Sequence, residues 1–566
     1  MVRTAILQFG RRHVGRAAHP RNAQPVVECL EDRVLFNINI SQLSQPGNQS
    51  EGTIALDPTN SNRMFAASNS EWVPRVMARY SVDGGTTWLQ SNLSQIPVGL
   101  GDPQATFDTY GNLYLTYITH EVPTRVVVAV SYNAGISFLS QDFEYFGEGD
   151  RPSIAAGIGG AGISEVQACV SFARLSVGIV ASCAPVYGFG LVDSFGALWL
   201  APGSYGGNYG SIAISRGPGY SGQVMVTYAL FTGGGNPTSI FVNTAGPLLL
   251  LGFRPPVLVS NTNVGYPYII PPQPTRGIAA NPSLAYDVSG LVVGGHGRAY
   301  LAYVDAPSPM STDTNIFLRY SDDVGQTWSA AEQLNDDQGA NSQFMPQIAV
   351  DQTSANVAIA WSDARNSAGN NTVEIYATVK ILGGPRRPNR VVSPGPSDEN
   401  AAATPNDCGD YNTMTARSNW FYPIWADNSV DAFGNSLLVP PNGPWGNLAR
   451  TFDMATKRVD FQDFLPGPLA PLIADPALLL AAPTQPVATV TSLINERVSC
   501  SSMPLLISEP RQLDWLLSTL TAQFGRTSAT ASESHSDAGH GWVTGVPGLE
   551  EAWFADLAPP IETFAK

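Results

Sequence analysis

The sequence predicts an all-β protein whose main body, residues 34–462, is a β-propeller of about seven four-stranded blades. Three observations carry this expectation. A strand-forming phrase recurs seven times, a second strand follows most copies, and a glycine-containing hairpin signature returns at one place in the repeat.

Composition sets the frame. With 54 Gly and 44 Pro in 566 residues the chain must turn often, and 43% hydrophobic and 10% aromatic content can fill a large core. Charged residues are 13% of the chain and the formal net charge is −16, so a phosphate backbone would be repelled and nucleic acid is excluded as a partner. The longest apolar runs, such as residues 247–251, stop short of the roughly 20 residues that span a bilayer, so no transmembrane segment is expected.

The recurring phrase is a polar lead-in, a short strand containing Ile-Ala or its equivalent, and a turn. Its copies occupy residues 52–57, 103–108, 152–156, 210–215, 282–287, 346–351 and, most weakly, 411–416, about 50 to 70 residues apart. Second strands follow at 64–68, 113–117, 224–228, 299–303, 357–361 and 422–425, with the alternation expected of half-buried strands. In complete copies two more strands flank a turn, as in residues 75–80 and 88–90, and four strands per repeat make a propeller blade. A β-sandwich does not predict seven similar phrases in one order. The strand at residues 34–40 is placed to complete the last blade and close the ring.

The hairpin signature is Ser81-Val-Asp83-Gly-Gly85-Thr-Thr87-Trp88. It returns as Ser321-Asp-Asp323-Val-Gly325-Gln-Thr327-Trp328 and, degenerately, as Ser131-Tyr-Asn133-Ala-Gly135-Ile-Ser137-Phe138. The Asp can bond backbone N–H groups, Gly allows positive φ and the aromatic ring covers the blade, so these residues read as structural. The signature resembles the Asp box, and over roughly residues 45–460 the chain is similar to the sialidase-like, BNR-repeat propellers. That resemblance implies a propeller that handles glycans. Its enzymes are usually six-bladed, which makes six the alternative blade count, and they use three arginines, a Tyr/Glu pair and an acid/base Asp. Their first arginine lies in a Phe/Tyr-Arg-Ile-Pro motif before the first Asp box. Arg63, Arg75 and Arg79 lack that context, so no catalytic residue is carried over.

Residues 1–33 form a basic leader with Arg3, Arg11, Arg12, Arg16, Arg21 and Arg33, without the apolar core of an ordinary signal peptide. Within it, residues 30–36 (Leu-Glu-Asp-Arg-Val-Leu-Phe) resemble the Leu-Glu-Pro-Arg-x-Leu-Leu sorting segment of exported planctomycete proteins, with Asp32 in place of Pro and Phe36 in place of Leu. The resemblance implies export, to the cell surface or beyond. N-terminal disorder is the competing reading.

Five cysteines are too scattered for a zinc site or a redox pair. Cys169 and Cys183 flank one apparent hairpin symmetrically, so they are candidates for a disulfide across two strands; two small buried hydrophobes are the alternative.

In a propeller the segments leading into the innermost strands and the loops after the second strands open on the face opposite these hairpin turns. The first group contributes Glu51, Asp102, Asp150, Arg151, Asn281, Asp410 and Tyr411. The second contributes Glu71, Trp72, His120, Glu121, Asp305, Asp363, Arg365 and Asp427. The expected mouth is acidic and poor in arginine. Three readings compete: polar caps on strand ends, a glycan- or protein-binding surface with Trp72 and Tyr411 stacking, and a glycosidase whose paired carboxylates sit there. The ligand-binding candidates are Trp72, Asp102, Asp150, Arg151, Asp363, Arg365, Asp410 and Tyr411. Sialic acid would require more arginines than Arg151 and Arg365. Residues 397–400 and 406–410 are oxygen-rich loops of a kind calcium uses, but fit no calcium motif, so no metal or other cofactor is assigned. Of six histidines only His120 and His296 fall within the propeller, which disfavours histidine-centred chemistry. Residues 463–566 read as a Pro/Ala-rich, low-complexity tail with one short helix at 511–524. The expectation is a monomeric, exported propeller that binds glycan or protein ligands at its mouth, with an exo-sialidase or other glycoside hydrolase as the alternative.

Overall fold

The computed structural model describes residues 38–39 and 48–465, apart from 71–75, 122–123, 148, 161–163, 216–221, 232, 294–296, 402–407 and 431–451. The leader and residues 466–566 of the tail lie outside the described residues.

Seven antiparallel sheets form a seven-bladed propeller. Blade 1 comprises Gln49–Leu56, Met64–Ser70, Met77–Ser81 and Leu89–Gln90; blade 2 comprises Gly99–Phe107, Leu113–Thr119, Arg125–Ser131 and Leu139–Phe146. Blade 3 follows with Gly149–Ile158, Val166–Arg174 and Gly178–Gly188, its outer edge split into Leu191–Val192 and Trp199–Leu200. Blade 4 is Gly207–Ile214, Val224–Leu230, Thr238–Ala245 and Val257–Thr262, and blade 5 is Ser283–Asp287, Arg298–Asp305, Asn315–Ser321 and Glu332–Gln333. Blade 6 runs Gln343–Asp351, Asn356–Asp363, Thr372–Lys380 and Arg390–Val391. In blade 7 Met414–Arg417, Trp420–Asp427 and Asp453–Thr456 are joined by Ile38–Asn39, with Ile38 opposite Thr456 and Asn39 opposite Ala455. The inner strands touch in cyclic order, the seventh returning to the first. The ring is therefore closed by a strand from the opposite end of the chain, and the blade count is seven rather than six.

Second strands have neighbours on both sides within a blade and adjacent blades on both faces, so apolar residues replace the in/out alternation of a half-buried strand. Asn356–Asp363 is buried along its whole length, and Tyr114, Tyr117, Tyr228, Tyr300, Tyr303, Trp361 and Trp425, all on second strands, are among the largest fully buried side chains. At the turn after the inner strand an aspartate caps the next backbone: Asp57, Asp108, Asp287 and Asp351 each accept the N–H two residues on, at 2.8–2.9 Å.

The Ser-x-Asp-x-Gly-x-Thr-Trp turns join third and fourth strands. Ser81 Oγ donates to Asp83 Oδ1 (2.8 Å) and accepts from Gly85 N (2.9 Å), while Asp83 accepts from Thr87 N (2.8 Å) and Thr87 Oγ1 (2.7 Å). Ser321, Asp323, Gly325 and Thr327 repeat this pattern, and Ser131, Asn133, Gly135 and Ser137 reproduce most of it with an amide. Partial desolvation pushes the Asp83 carboxyl up, but the bonds from Thr87 and Ser81 outweigh it and hold the group below its usual range. Cys169 and Cys183 stand directly opposite in the register of their hairpin, Cα atoms 4.1 Å apart, and are joined by a disulfide.

Candidate functional site at the axial mouth

Six of the seven inner strands begin with an irregularity at one position. Glu51, Asp102, Arg151, Tyr209, Asn281 and Met345 all have φ between 47° and 56°, a left-handed conformation uncommon for residues with a side chain. In five blades the ladder shifts register there, between Ser50 and Thr53, Gly101 and Gln104, Asp150 and Ser153, Asn208 and Ser211, and Phe344 and Gln347. Such a bulge releases the backbone from pairing and re-aims the side chain. In blade 7 the ladder of Met414–Arg417 runs without such a shift, and Tyr411, the first residue of the weakest copy, is not in the left-handed conformation. Six blades thereby carry one such residue at the start of the inner strand.

Glu51, Asp102, Arg151, Tyr209 and Asn281 meet, together with Asp410 and Tyr411. Glu51, 1% exposed, accepts from Asn69 Nδ2, from Arg276 Nη2 at 3.1 Å and from the Asp410 backbone N–H at 3.2 Å, and it shares a side-chain hydrogen bond with Asp102. Arg276 also binds both carboxylate oxygens of Asp410, its Nε lying 2.6 Å from Oδ1. The Asp102 Oδ2 accepts the Arg151 backbone N–H (3.0 Å), and its own backbone N–H donates to Asn69 (2.8 Å). Asp150 accepts from Asn208 Nδ2 (2.7 Å). Arg151, 7% exposed, lies between two aromatic faces with its guanidinium carbon 4.4 Å from the Tyr209 ring centre and 4.3 Å from that of Tyr411. Its Nη2 donates to Asn281 at 2.7 Å, while its Nε and Nη1, and the Tyr411 hydroxyl, are buried without a hydrogen-bond partner.

The electrostatics follow from packing carboxylates at close quarters in a dry place. Burial first, then Asp410, raises Glu51; burial, then Glu51 and Asp150, raises Asp102 well above the ordinary carboxylate range. Their shared hydrogen bond raises Asp102 and lowers Glu51, which makes Asp102 the donor of the pair. Desolvation opposes the charge on Arg276, but its bonds to Asp410 outweigh this and raise it. Tyr209 and Tyr411 are also raised, chiefly by burial.

Of the sequence candidates, Asp102, Asp150, Arg151, Asp410 and Tyr411 converge here, with Glu51 and Asn281. Asp363 and Arg365 build a separate network: Arg365 pairs with Asp363 (2.8 Å) and Asp336 (2.7 Å) and stacks on Tyr376, while Asp363 accepts from Trp361 Nε1 (2.7 Å). Asp427 repeats that arrangement with Trp425 Nε1 (2.7 Å), and Asp305 caps its strand through Asn263 N and Ala306 N, both at 2.8 Å. Glu121 pairs with Arg125. Glu71, Trp72 and His296 lie outside the described residues. So do Asn406 and Asp407, and among the described residues no three His, Cys, Asp or Glu side chains group as a metal site.

Sequence reasoning passed over Tyr209, Met345 and Arg276. The first two stand one residue before the Gly210 and Pro346 phrases, in register with Glu51 and Asp102, so a strict alignment of copies identifies them. Arg276 belongs to an extra hairpin, Tyr268–Ile270 and Gln273–Ile278, inserted between blades 4 and 5 and therefore carries no repeat signal. Gln273 fastens that hairpin to the mouth, accepting from Cys408 N (2.9 Å) and donating to Gly409 O (3.0 Å). Gly409, at φ 85°, has no room for a side chain: a Cβ there would meet Glu51 Cγ at 2.6 Å.

No family model matches the chain, and no curated protein matches it. Among solved structures the chain is similar to an α-L-arabinofuranosidase from Fusarium graminearum (12% identity, TM-score 0.37, covering 76% of this chain and 99% of that one). An α-L-arabinanase from Penicillium chrysogenum gives 12% identity and a TM-score of 0.38 over 76% and 99% of the two chains. A protein of unknown function from Dyadobacter fermentans gives 10% and 0.38 over 75% and 97%. At these values the likeness concerns the fold alone.

Proposed function

We propose that the protein is an exported, sialidase-like propeller that binds a glycan at its axial mouth. The observation that carries this reading is the ring of bulge-borne side chains in which Arg151 Nε and Nη1 and the Tyr411 hydroxyl have no hydrogen-bond partner. Sugar hydroxyls are acceptors for such donors, which a ligand reaches by displacing the Tyr209 and Tyr411 rings that cover Arg151. Export is supported by the Cys169–Cys183 disulfide, which persists in oxidising compartments, and by the leader's resemblance to a sorting segment.

A glycoside hydrolase is the second reading, favoured by one feature: Asp102 is pushed well above the ordinary carboxylate range beside a second carboxyl, Glu51, as an acid catalyst requires. Against it, the two are in direct hydrogen-bond contact, closer than the roughly 5 Å that separates the carboxyls of retaining enzymes. A substrate would have to part them.

The test is a glycan array followed by calorimetric titration, run in parallel with a fluorogenic glycoside panel that includes a sialoside. The full chain is expected to bind a glycan without turnover, with affinity falling at least about tenfold in Arg151→Ala, the loss of one to two good hydrogen bonds. Asp150→Asn serves as a second mouth variant. Turnover abolished by Asp102→Asn would replace binding by hydrolysis; absence of both would refute the proposal.

A further inference from the structure

Away from the mouth, one stretch of the chain is nearly free of charge. Residues 175–253 contain two charged residues, Asp193 and Arg216, in a protein that is 13% charged with a formal net charge of −16. The stretch holds the longest run of leucines, residues 248–251, on the turn between the third and fourth strands of blade 4. That turn lies at the end of the blade opposite the mouth, because the inner strand starts at the mouth and its neighbours alternate in direction.

Leu248 and Leu249 have φ of 54° and 56°, so two successive leucines adopt the left-handed conformation that side chains disfavour. The Leu248 N–H donates to Gln167 Oε1 of blade 3 (2.7 Å), and Leu249 is fully buried in one apolar cluster with Ala181 and Ala201. Fixed in this way, the turn leaves its next two leucines in solvent: Leu250 is 58% exposed and Leu251 is 93% exposed. Beside them runs the outer edge of blade 3, where Leu198, Trp199 and Leu200 are each more than a third exposed. The Trp199 ring lies so close over Gly252 that a Cβ there would meet its Cε3 at 2.9 Å. Folding alone would bury these leucines, yet the backbone holds them out.

A second copy of the chain and a lipid surface compete for this cluster. The five side chains together expose about as much area as three whole ones, on the order of 500 Å². A stable protein interface buries roughly 800 Å² per partner, and two copies carrying this net charge repel each other. A bilayer requires less. Leucines and a tryptophan on a rigid projecting turn enter the boundary between headgroups and acyl chains without a complementary surface to receive them. We propose that this turn is a membrane anchor: Leu250 and Leu251 insert into the interface of a zwitterionic bilayer, with Trp199 at the headgroup level. The net charge of the chain opposes anionic lipid, so the affinity resides in apolar contact. Seated there, the protein keeps its mouth on the side away from the lipid.

The experiment mixes the full-length chain with sucrose-loaded phosphatidylcholine vesicles and reads the bound fraction after sedimentation. The wild type is expected to co-sediment. The double variant Leu250→Ser, Leu251→Ser is expected to lose at least about tenfold in partition, with its thermal midpoint unchanged because both side chains are exposed. Added phosphatidylserine is expected to leave the wild-type partition unchanged or to lower it. Brominated lipid is expected to quench tryptophan fluorescence in the wild type and to quench it less in Trp199→Phe. No co-sedimentation of the wild type, equal partition of the double variant, undiminished quenching in Trp199→Phe, or binding only when phosphatidylserine is present each overturns the proposal. A dimer in sedimentation velocity that the double variant abolishes would assign the cluster to a second copy and overturn it as well.

Discussion

Asp102 illustrates how one residue links backbone, charge and function. Its left-handed backbone directs the carboxyl to the axis, where Glu51 accepts its proton and the Arg151 N–H donates to it. Because folding raises both carboxyls, the native state holds a proton that the unfolded chain releases at about pH 4. This stabilisation is complete below that range and is lost as pH climbs through the folded values. Asparagine at 102 retains the donor and the acceptor but cannot ionise. Urea titrations between pH 4 and 8 should therefore show Asp102→Asn gaining on the wild type as pH rises; parallel curves would contradict the shared proton. The outer hairpins behave differently. Asp83→Ala loses the bonds to Thr87 and Ser81 in an exposed turn and is expected to cost about 1–2 kcal/mol in unfolding free energy, with ligand affinity unchanged. At this scale the sequence was partly readable. Asp102, Arg151 and Asp410 sit where repeat phase puts them, whereas Asp363 and Asp427, at equally plausible positions, bond their own Trp indoles and cap strands. Phase locates a residue but does not say which way its side chain turns.

Elements were the most legible level, because four strands per repeat leave a periodic trace and the turns are local chemistry. The closing strand was readable too: of residues 34–40, Ile38 and Asn39 are described and both pair with blade 7. What the sequence concealed was the inserted hairpin that delivers Arg276, since it belongs to no repeat and Arg276 lies 134 residues from its partner Asp410. The disulfide also belongs to this scale. It joins strands 14 residues apart in sequence, for which the chain-entropy estimate is about 3 kcal/mol. Replacing both Cys169 and Cys183 by alanine should lower the unfolding free energy by roughly that amount, measured in denaturant, while leaving blade 3 folded by circular dichroism.

For the molecule as a whole, the decisive feature is that neighbouring blades cover each other's faces all the way round. Among the described residues the mouth side chains come from the starts of blades 1 to 5 and 7 and from the inserted hairpin rather than from one loop. Rigid support of this kind suits a site whose donors must wait unbonded for a ligand. The pairing of Ile38–Asn39 with Asp453–Thr456 then has a consequence for connectivity: around the ring, the place where the chain starts is arbitrary. A circular permutant that links residue 465 to residue 38 through a flexible spacer and opens instead between blades 4 and 5 keeps every interblade contact. It should unfold cooperatively with a midpoint close to that of the parent, and a permutant that populates an intermediate would mean that the natural seam is a weaker joint than the other six.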